Sequence, residues 1–238
     1  MQKRPYSSLV FPSSYNGSTS IVTIPYGAWM PPLTGPMTVM AQLYLRGTGG
    51  GAFGYIASNC TSGLANGWRI FYNGGALTFG SSSTTLASPF RSTSAATFNT
   101  GAFYTVAATY DGGVVQSGIN MYIAADGNAL ALDNGGGGGD GTGSVDSSAN
   151  QALNIGNRAG AARCTDGDIF WFGWWPRILD IGELRAVRRQ NLLTIPPVFL
   201  WANGRDYGPY GAIANAKTAI TTPPSSSDGK NQRFHTKN

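Results

Sequence analysis

Side chains equipped for proton transfer, metal ligation or nucleophilic attack are scarce in this chain: 11 acidic residues, one histidine and two cysteines among 238. Cleaving a glycosidic bond takes two carboxyl groups about 5–9.5 Å apart across the scissile bond. Asp166 and Asp168, at i and i+2, share one strand face, but they open that strand directly after a turn. Glu183, the single glutamate, stands where a helix cap belongs. A serine or cysteine nucleophile needs a base, and the one imidazole, His235, lies in a polar C-terminal segment. These residue types predict a protein that is not an enzyme.

Calcium takes carboxylate and loop carbonyl oxygens, so Asp111, Asp126, Asp140, Asp166 and Asp168 are the candidate metal ligands. Asp-Gly is equally what tight turns require, and all of these except Asp168 precede a glycine. Residues 135–140 fit one GGxGxD calcium core, but the unit does not repeat and Thr142 stands where an apolar residue belongs, which reads as a surface loop.

Aromatic rings that stack on sugars, or that meet another chain, form the next class. Trp29, Trp68, Tyr72, Trp171, Trp174 and Trp175 are the candidates, against the general rule that large aromatics of a sandwich fill its core. Arg185, Arg188 and Arg189 with Lys230 and Arg233 of the tail could contact an anionic partner; no nucleic-acid-binding motif accompanies them, so no nucleic acid is expected.

The elements that must position these groups are mostly strands. Residues 37–46 (MTVMAQLYLR) alternate as a half-buried strand, and 52–58, 67–72 and 76–80 follow as a meander, the last two joined through Asn73-Gly74-Gly75, a hairpin signal. Residues 7–11 and 20–24 read as a first hairpin around Tyr15-Asn16-Gly17, and 81–99 as a long Ser/Thr-rich loop. Residues 102–111 and 118–124 are strands, 135–150 a polar loop, and 152–157 and 168–175 two buried strands. After Pro176 the apolar residues Ile178, Leu179, Ile181, Leu184 and Val187 recur at helical spacing, with Asp180 as N-cap and Glu183 three positions on: a capping box opening one short helix.

Thirty-four glycines, 12% aromatics and only 11% charged residues favour many strands joined by tight turns. The length suits one domain, over residues 1–190, followed by an extended basic tail over 191–238. The net charge of +5 favours an anionic partner without naming one. No charged start leads into an apolar core near Met1, so synthesis in a cytoplasm is expected, and no window approaches 18 apolar residues, so no membrane partner is. Cys60 and Cys164 then read as separate buried thiols rather than a disulfide.

Four pieces, in order, resemble the laminin G-like domains of the concanavalin A-like lectin/glucanase superfamily: LVFPSSYNGSTSIVTIP, MTVMAQLYLR, AFYTVAATYDGG with INMYIAADGN, and ALNIGNR followed by DGDIFWFGWWPRILDIGEL. The resemblance implies an all-β, two-sheet antiparallel jelly-roll sandwich used for carbohydrate or protein binding, and such domains also occur in bacteriophage virion proteins. Where many members carry acids in the last strand, this chain has Phe170, Trp171 and Phe172. In a sandwich strand alternate residues face outward, so Trp171 or its neighbours are expected to be exposed unless another layer covers them, and the apolar surface argues for contact with other protein chains. The sequence thus predicts a non-enzymatic structural or decorating component of a larger assembly, a bacteriophage capsid or tail protein of the virion, homo-oligomeric and without a required cofactor. A carbohydrate-binding adhesion module, calcium-assisted or not, is the competing expectation.

Overall fold

A computed structural model describes residues 20–27, 30, 34–61, 66–83, 87–145, 151–160, 163–189, 195 and 197–200, and the backbone alone of 9–10, 201–202, 205–206 and 219–220. In chain order the strands are β1 (Leu9–Val10), β2 (Val22–Ile24), β3 (Met37–Leu45), β4 (Phe53–Ser58), β5 (Trp68–Asn73), β6 (Ala76–Ser81), β7 (Phe90–Ser92), β8 (Ala102–Tyr110), β9 (Ile119–Ala125), β10 (Ala131–Leu132), β11 (Gly138–Gly139), β12 (Leu153–Ile155), β13 (Gly167–Trp175), β14 (Phe199–Ala202), β15 (Arg205–Asp206) and β16 (Ala219–Ile220). Helix α1 (Ile181–Arg188) lies between β13 and β14. They form two antiparallel sheets. The first runs β10-β9-β8-β3-β13-β14-β15, with β1 also on β13; the second runs β11-β7-β6-β5-β4-β12-β2-β16.

The central strands fall where alternation and turn residues place them. Gly74 and Gly75, with φ of 56° and 81°, close the two-residue turn between β5 and β6, a backbone conformation that glycine reaches without strain. Two expectations are corrected. The first strand pair is no hairpin: Leu9–Val10 joins β13 in the first sheet, and Val22–Ile24 joins β12 in the second. The Ser/Thr-rich loop contains β7, which pairs with β6, and the polar loop after it contains β11, which pairs with β7. Past residue 190, β14 pairs with β13 and β16 with β2.

Two apolar layers result. Between the sheets lie Ile24, Val39, Leu43, Trp68, Phe79, Tyr110, Phe172 and Trp174, with Trp68 stacked at 6.1 Å on Phe172 and edge-on at 5.3 Å to Trp174. The outer face of the first sheet buries Met40, Phe170, Trp171 and Trp175 beneath Leu179, Leu184, Val187 and Ile195. A bulge makes this second layer. Ile169 faces Leu43 and Trp171 faces Gln42, so Phe170 is the extra residue and turns to the same side as Trp171. The covered alternative holds and no exposed aromatic face results: Trp171 and Trp175 are 2% and 1% exposed beneath α1 and its flanking segments, and Trp174, 1% exposed, lies between the sheets. Their polar edges are partly spoken for within the chain, Trp171 Nε1 donating to Gln42 Oε1 at 3.2 Å and Trp175 Nε1 to the Ile195 carbonyl at 3.0 Å.

The expected capping box holds the lid in place. Asp180 Oδ1 accepts from the Glu183 N–H at 2.9 Å, and Glu183 Oε2 accepts from the Asp180 N–H at 3.0 Å. Arg177 adds a two-pronged ion pair to the Glu183 carboxylate, at 2.9 and 2.7 Å. No helix among the described residues is long and apolar enough to cross a membrane.

Candidate functional site

The acidic candidates do not converge. Asp111 closes β8 and accepts from the Gly113 N–H at 2.8 Å, an Asx turn. Asp126 follows β9 at the opposite end of that hairpin, near Arg188. Asp140 accepts from the Gln116 N–H at 2.8 Å. Only Asp166 and Asp168 meet, three strand spacings or on the order of 14 Å from the end of β9. Arg46 stands between them, 2.7 Å from Asp168 and 3.6 Å from Asp166. Burial, then the Asp168 charge, raises the Asp166 carboxyl to about 6. With a guanidinium held against this pair and the other carboxylates turned to backbone N–H groups or an arginine, the donor set does not fit calcium, and among the described residues no three His, Cys, Asp or Glu side chains group for a metal. The same guanidinium occupies the ground between the carboxylates that a glycosidic oxygen would need.

The helix arginines serve the lid. Arg185 donates through Nε and Nη2 to the Leu130 carbonyl, at 3.2 and 3.1 Å, and Arg188 bonds the Asn128 carbonyl. Arg189 is exposed on the last turn. Trp68 and Tyr72, proposed as sugar-stacking rings, belong to the core between the sheets. Trp29, Lys230, Arg233 and His235 lie outside the described residues. Cys60 and Cys164 are separate buried thiols; burial raises both, Cys164 to about 11.

The side chains that do gather lie on the outer face of the second sheet. Because Trp68, Ile70 and Tyr72 point inward, Arg69, Phe71 and Asn73 point outward. Cross-strand register then builds two rows: Thr23, Asn154, Ser58, Arg69, Gly80 and Phe90, and beside it Tyr55, Phe71, Thr78 and Ser92. Tyr55 stacks on Phe71 at 5.3 Å, and Phe53 flanks Phe71 at 5.9 Å. Arginines cover these rings: Arg69 lies 5.7 Å above Phe71, and Arg163 lies 4.7 Å above Phe53. Phe53, Phe71, Arg69, Arg158 and Arg163 are half-buried, and Phe90 is 40% exposed at the edge. Hydroxyl and amide groups complete the face, with Thr23 Oγ1 donating to Asn154 Oδ1 at 2.9 Å and Thr78 sharing a hydrogen bond with Ser92 at 2.8 Å. The signal for this face was the alternation in WRIFYN; attention to its tryptophan and tyrosine followed the buried phase of that alternation.

The sequence matches the model of the family Laminin_G_3, described as the concanavalin A-like lectin/glucanases superfamily, over residues 16–184. No curated protein matches the chain. Among solved structures, a native heptameric SAP-like pentraxin from Limulus polyphemus superposes with a TM-score of 0.51 at 18% identity, covering 77% of this chain and 82% of that one. The CBM40 of the Ruminococcus gnavus IT-sialidase, bound to α2,3-sialyllactose, gives 0.48 at 16%, over 76% and 99% of the two chains. Domains LG4-5 of the mouse laminin α1 chain give 0.44 at 12%, over 76% and 48%. With two antiparallel sheets, one short helix over the first of them, and residues 16–184 inside the family model, the chain belongs to the laminin G-like family of the concanavalin A-like lectin/glucanase superfamily.

Proposed function

We propose that this chain is a non-catalytic carbohydrate-binding module that takes its ligand on the outer face of the second sheet. The observation carrying this reading is the half-buried pair Phe53 and Phe71, with Phe90 exposed at the edge, beside half-buried Arg69, Thr23 and Ser92. Sugar rings offer apolar C–H faces to such rings and hydroxyls to such donors, and a few convergent polar groups on an apolar floor are what fix a small ligand. On the outer face of the first sheet α1 and its flanking segments bury Phe170, Trp171 and Trp175, while Tyr44, Phe103 and Tyr122 stay half-buried. The test is a panel of immobilised oligosaccharides probed with wild type and Phe71→Ala. Binding to at least one class, lost in the variant while its melting temperature stays within a few degrees, is expected; no binding to any sugar overturns the reading.

A place in a bacteriophage virion, as a structural or decorating chain, draws its support from the basic composition of residues 203–238, since the exposed aromatic face once expected to serve it is buried. Removing residues 207–238 and measuring incorporation into particles tests it; unaltered incorporation removes that support.

A further inference from the structure

An asparagine followed by glycine is poised to react with its own backbone, because the glycine carries no Cβ to keep its nitrogen away from the asparagine side chain. Three such pairs lie among the described residues, Asn66-Gly67, Asn73-Gly74 and Asn134-Gly135; Asn16-Gly17 and Asn203-Gly204 lie outside them. The fold withholds two of the three. Gly67 is buried, its N–H donates to Ser82 Oγ at 2.6 Å, and an added Cβ there would stand 2.1 Å from the Asn59 carbonyl oxygen. Asn134 spends both ends of its amide, Oδ1 accepting from the Met121 N–H at 2.9 Å and Nδ2 donating to Asn120 Oδ1 at 3.0 Å, and the Gly135 N–H donates to Asp133 Oδ1 at 3.1 Å.

Asn73-Gly74 is open on every count. Both residues are exposed, and nothing but its chain neighbours lies within 4 Å of a Cβ added at Gly74. Among the described residues neither the Asn73 side chain nor the Gly74 N–H has a hydrogen-bond partner. The pair sits at the tip of the β5–β6 hairpin, where Asn73 faces Ala76 across the last rung and Gly74 and Gly75 hold φ of 56° and 81°. An extended backbone keeps the Gly74 nitrogen away from the Asn73 side chain, so attack needs Asn73 to rotate about its own Cα–C bond. Only the terminal rung of the ladder opens for that, which is a local opening of low cost, and the glycine on the far side follows without a steric penalty.

We propose that Asn73 is a self-modification site, at which the chain converts a neutral amide into a carboxylate with water as the co-reactant. The Gly74 nitrogen gives its proton to base and bonds to Asn73 Cγ. The bond from Cγ to Nδ2 breaks, and that nitrogen takes up a proton and leaves as ammonia. Water then opens the cyclic imide. Opening at the Cγ carbonyl gives aspartate; opening at the main-chain carbonyl gives isoaspartate, whose backbone runs through Cγ and is one carbon longer. Nothing is oxidised or reduced. By register the new charge arises opposite Phe53, the ring beneath the Arg163 guanidinium, on the outward side of the strand that carries Arg69 and Phe71. The outer face of the second sheet thus changes its charge with the age of the chain, whatever that face binds.

The experiment holds the full chain folded in warm buffer at pH 6 and at pH 8, beside a sample unfolded in urea, and follows each pair by peptide mass mapping and by enzymatic methylation of isoaspartate. Expected at Asn73 is a gain of about one dalton, with isoaspartate in the same peptide, at least tenfold faster than at Asn66 or Asn134 in the folded chain. The rate should be higher at pH 8 than at pH 6, since the attacking nitrogen must lose its proton. In urea the three pairs should react at similar rates, which assigns the difference to the fold. Gly74→Ala, whose methyl group crowds the nitrogen, should slow the gain at Asn73 by tenfold or more, and Asn73→Gln, whose longer side chain closes a larger ring, should remove it. Equal rates at the three pairs in the folded chain overturn the inference, as does no reaction at Asn73 over a time in which the unfolded chain reacts. An undiminished gain at Asn73 in a folded Gly74→Ala variant also overturns it, because direct hydrolysis of the side chain would then be the source.

Discussion

Phe170 and Trp171 are neighbours in the chain and yet lie on the same face of the sheet, where a regular strand would send them to opposite sides. The bulge between Ile169 and Trp171 gives the outer layer one aromatic more than alternation allows. Trp171→Ala is expected to lower unfolding stability by about 3–5 kcal/mol in urea titration, the range for emptying a buried aromatic site. Sugar affinity should not change in the folded variant.

Gly173 lies within this strand because Trp175 needs the space: an added Cβ would meet the indole at 2.6 and 2.8 Å. Gly173→Ala is expected to cost about 1–3 kcal/mol by overpacking. Pairing it with Trp175→Leu tests the cause, since the double variant should lose less than the sum of the singles; additive losses would point to another origin.

Asp166 gives stability a pH dependence. Its carboxyl titrates near 3.8 when unfolded and at about 6 when folded, so the folded state holds the proton longer. That contribution is complete below pH 3.8 and is lost as pH rises through 6, up to about 3 kcal/mol before allowing for Arg46. Asp166→Asn should therefore melt above wild type at pH 7.5 by the equivalent of about 1–2 kcal/mol, with the gap closing at pH 4. A constant gap across that range would rule out the carboxyl as its source.

Asp180 is the hinge pin of the lid. Asp180→Ala removes the cap and is expected to cost about 1 kcal/mol of stability. Since α1 covers Trp171 and Trp175, faster acrylamide quenching of tryptophan fluorescence should accompany it at temperatures below global melting.

The fold was largely legible because its signals are local. Alternation marked β3, β8 and β9, the Asn73-Gly74-Gly75 turn marked a hairpin, and Asp180 with Glu183 marked the first turn of the helix. What failed depended on distant partners. Nothing in residues 7–24 separates a hairpin from two strands in different sheets, and β7 is three residues whose place is set by β6 and β11. A bulge leaves no mark in a run of six aromatic and small residues, so the side to which Phe170 and Trp171 turn was invisible. The sugar-facing candidates were missed because a buried Trp68 and an outward Arg69 differ only in phase, and phase is fixed by the other sheet.

The layer of helix over the first sheet also makes this protein useful as an oriented probe. A single thiol introduced at Arg189, exposed on the last helical turn, would tether the molecule to a sensor surface from behind, with Phe71 and the exposed Phe90 on the opposite side of the sandwich. The native thiols would not compete for the linker, because both are buried. Coupling through Asn73 instead, exposed at the end of the strand that carries Arg69 and Phe71, would press that face against the support.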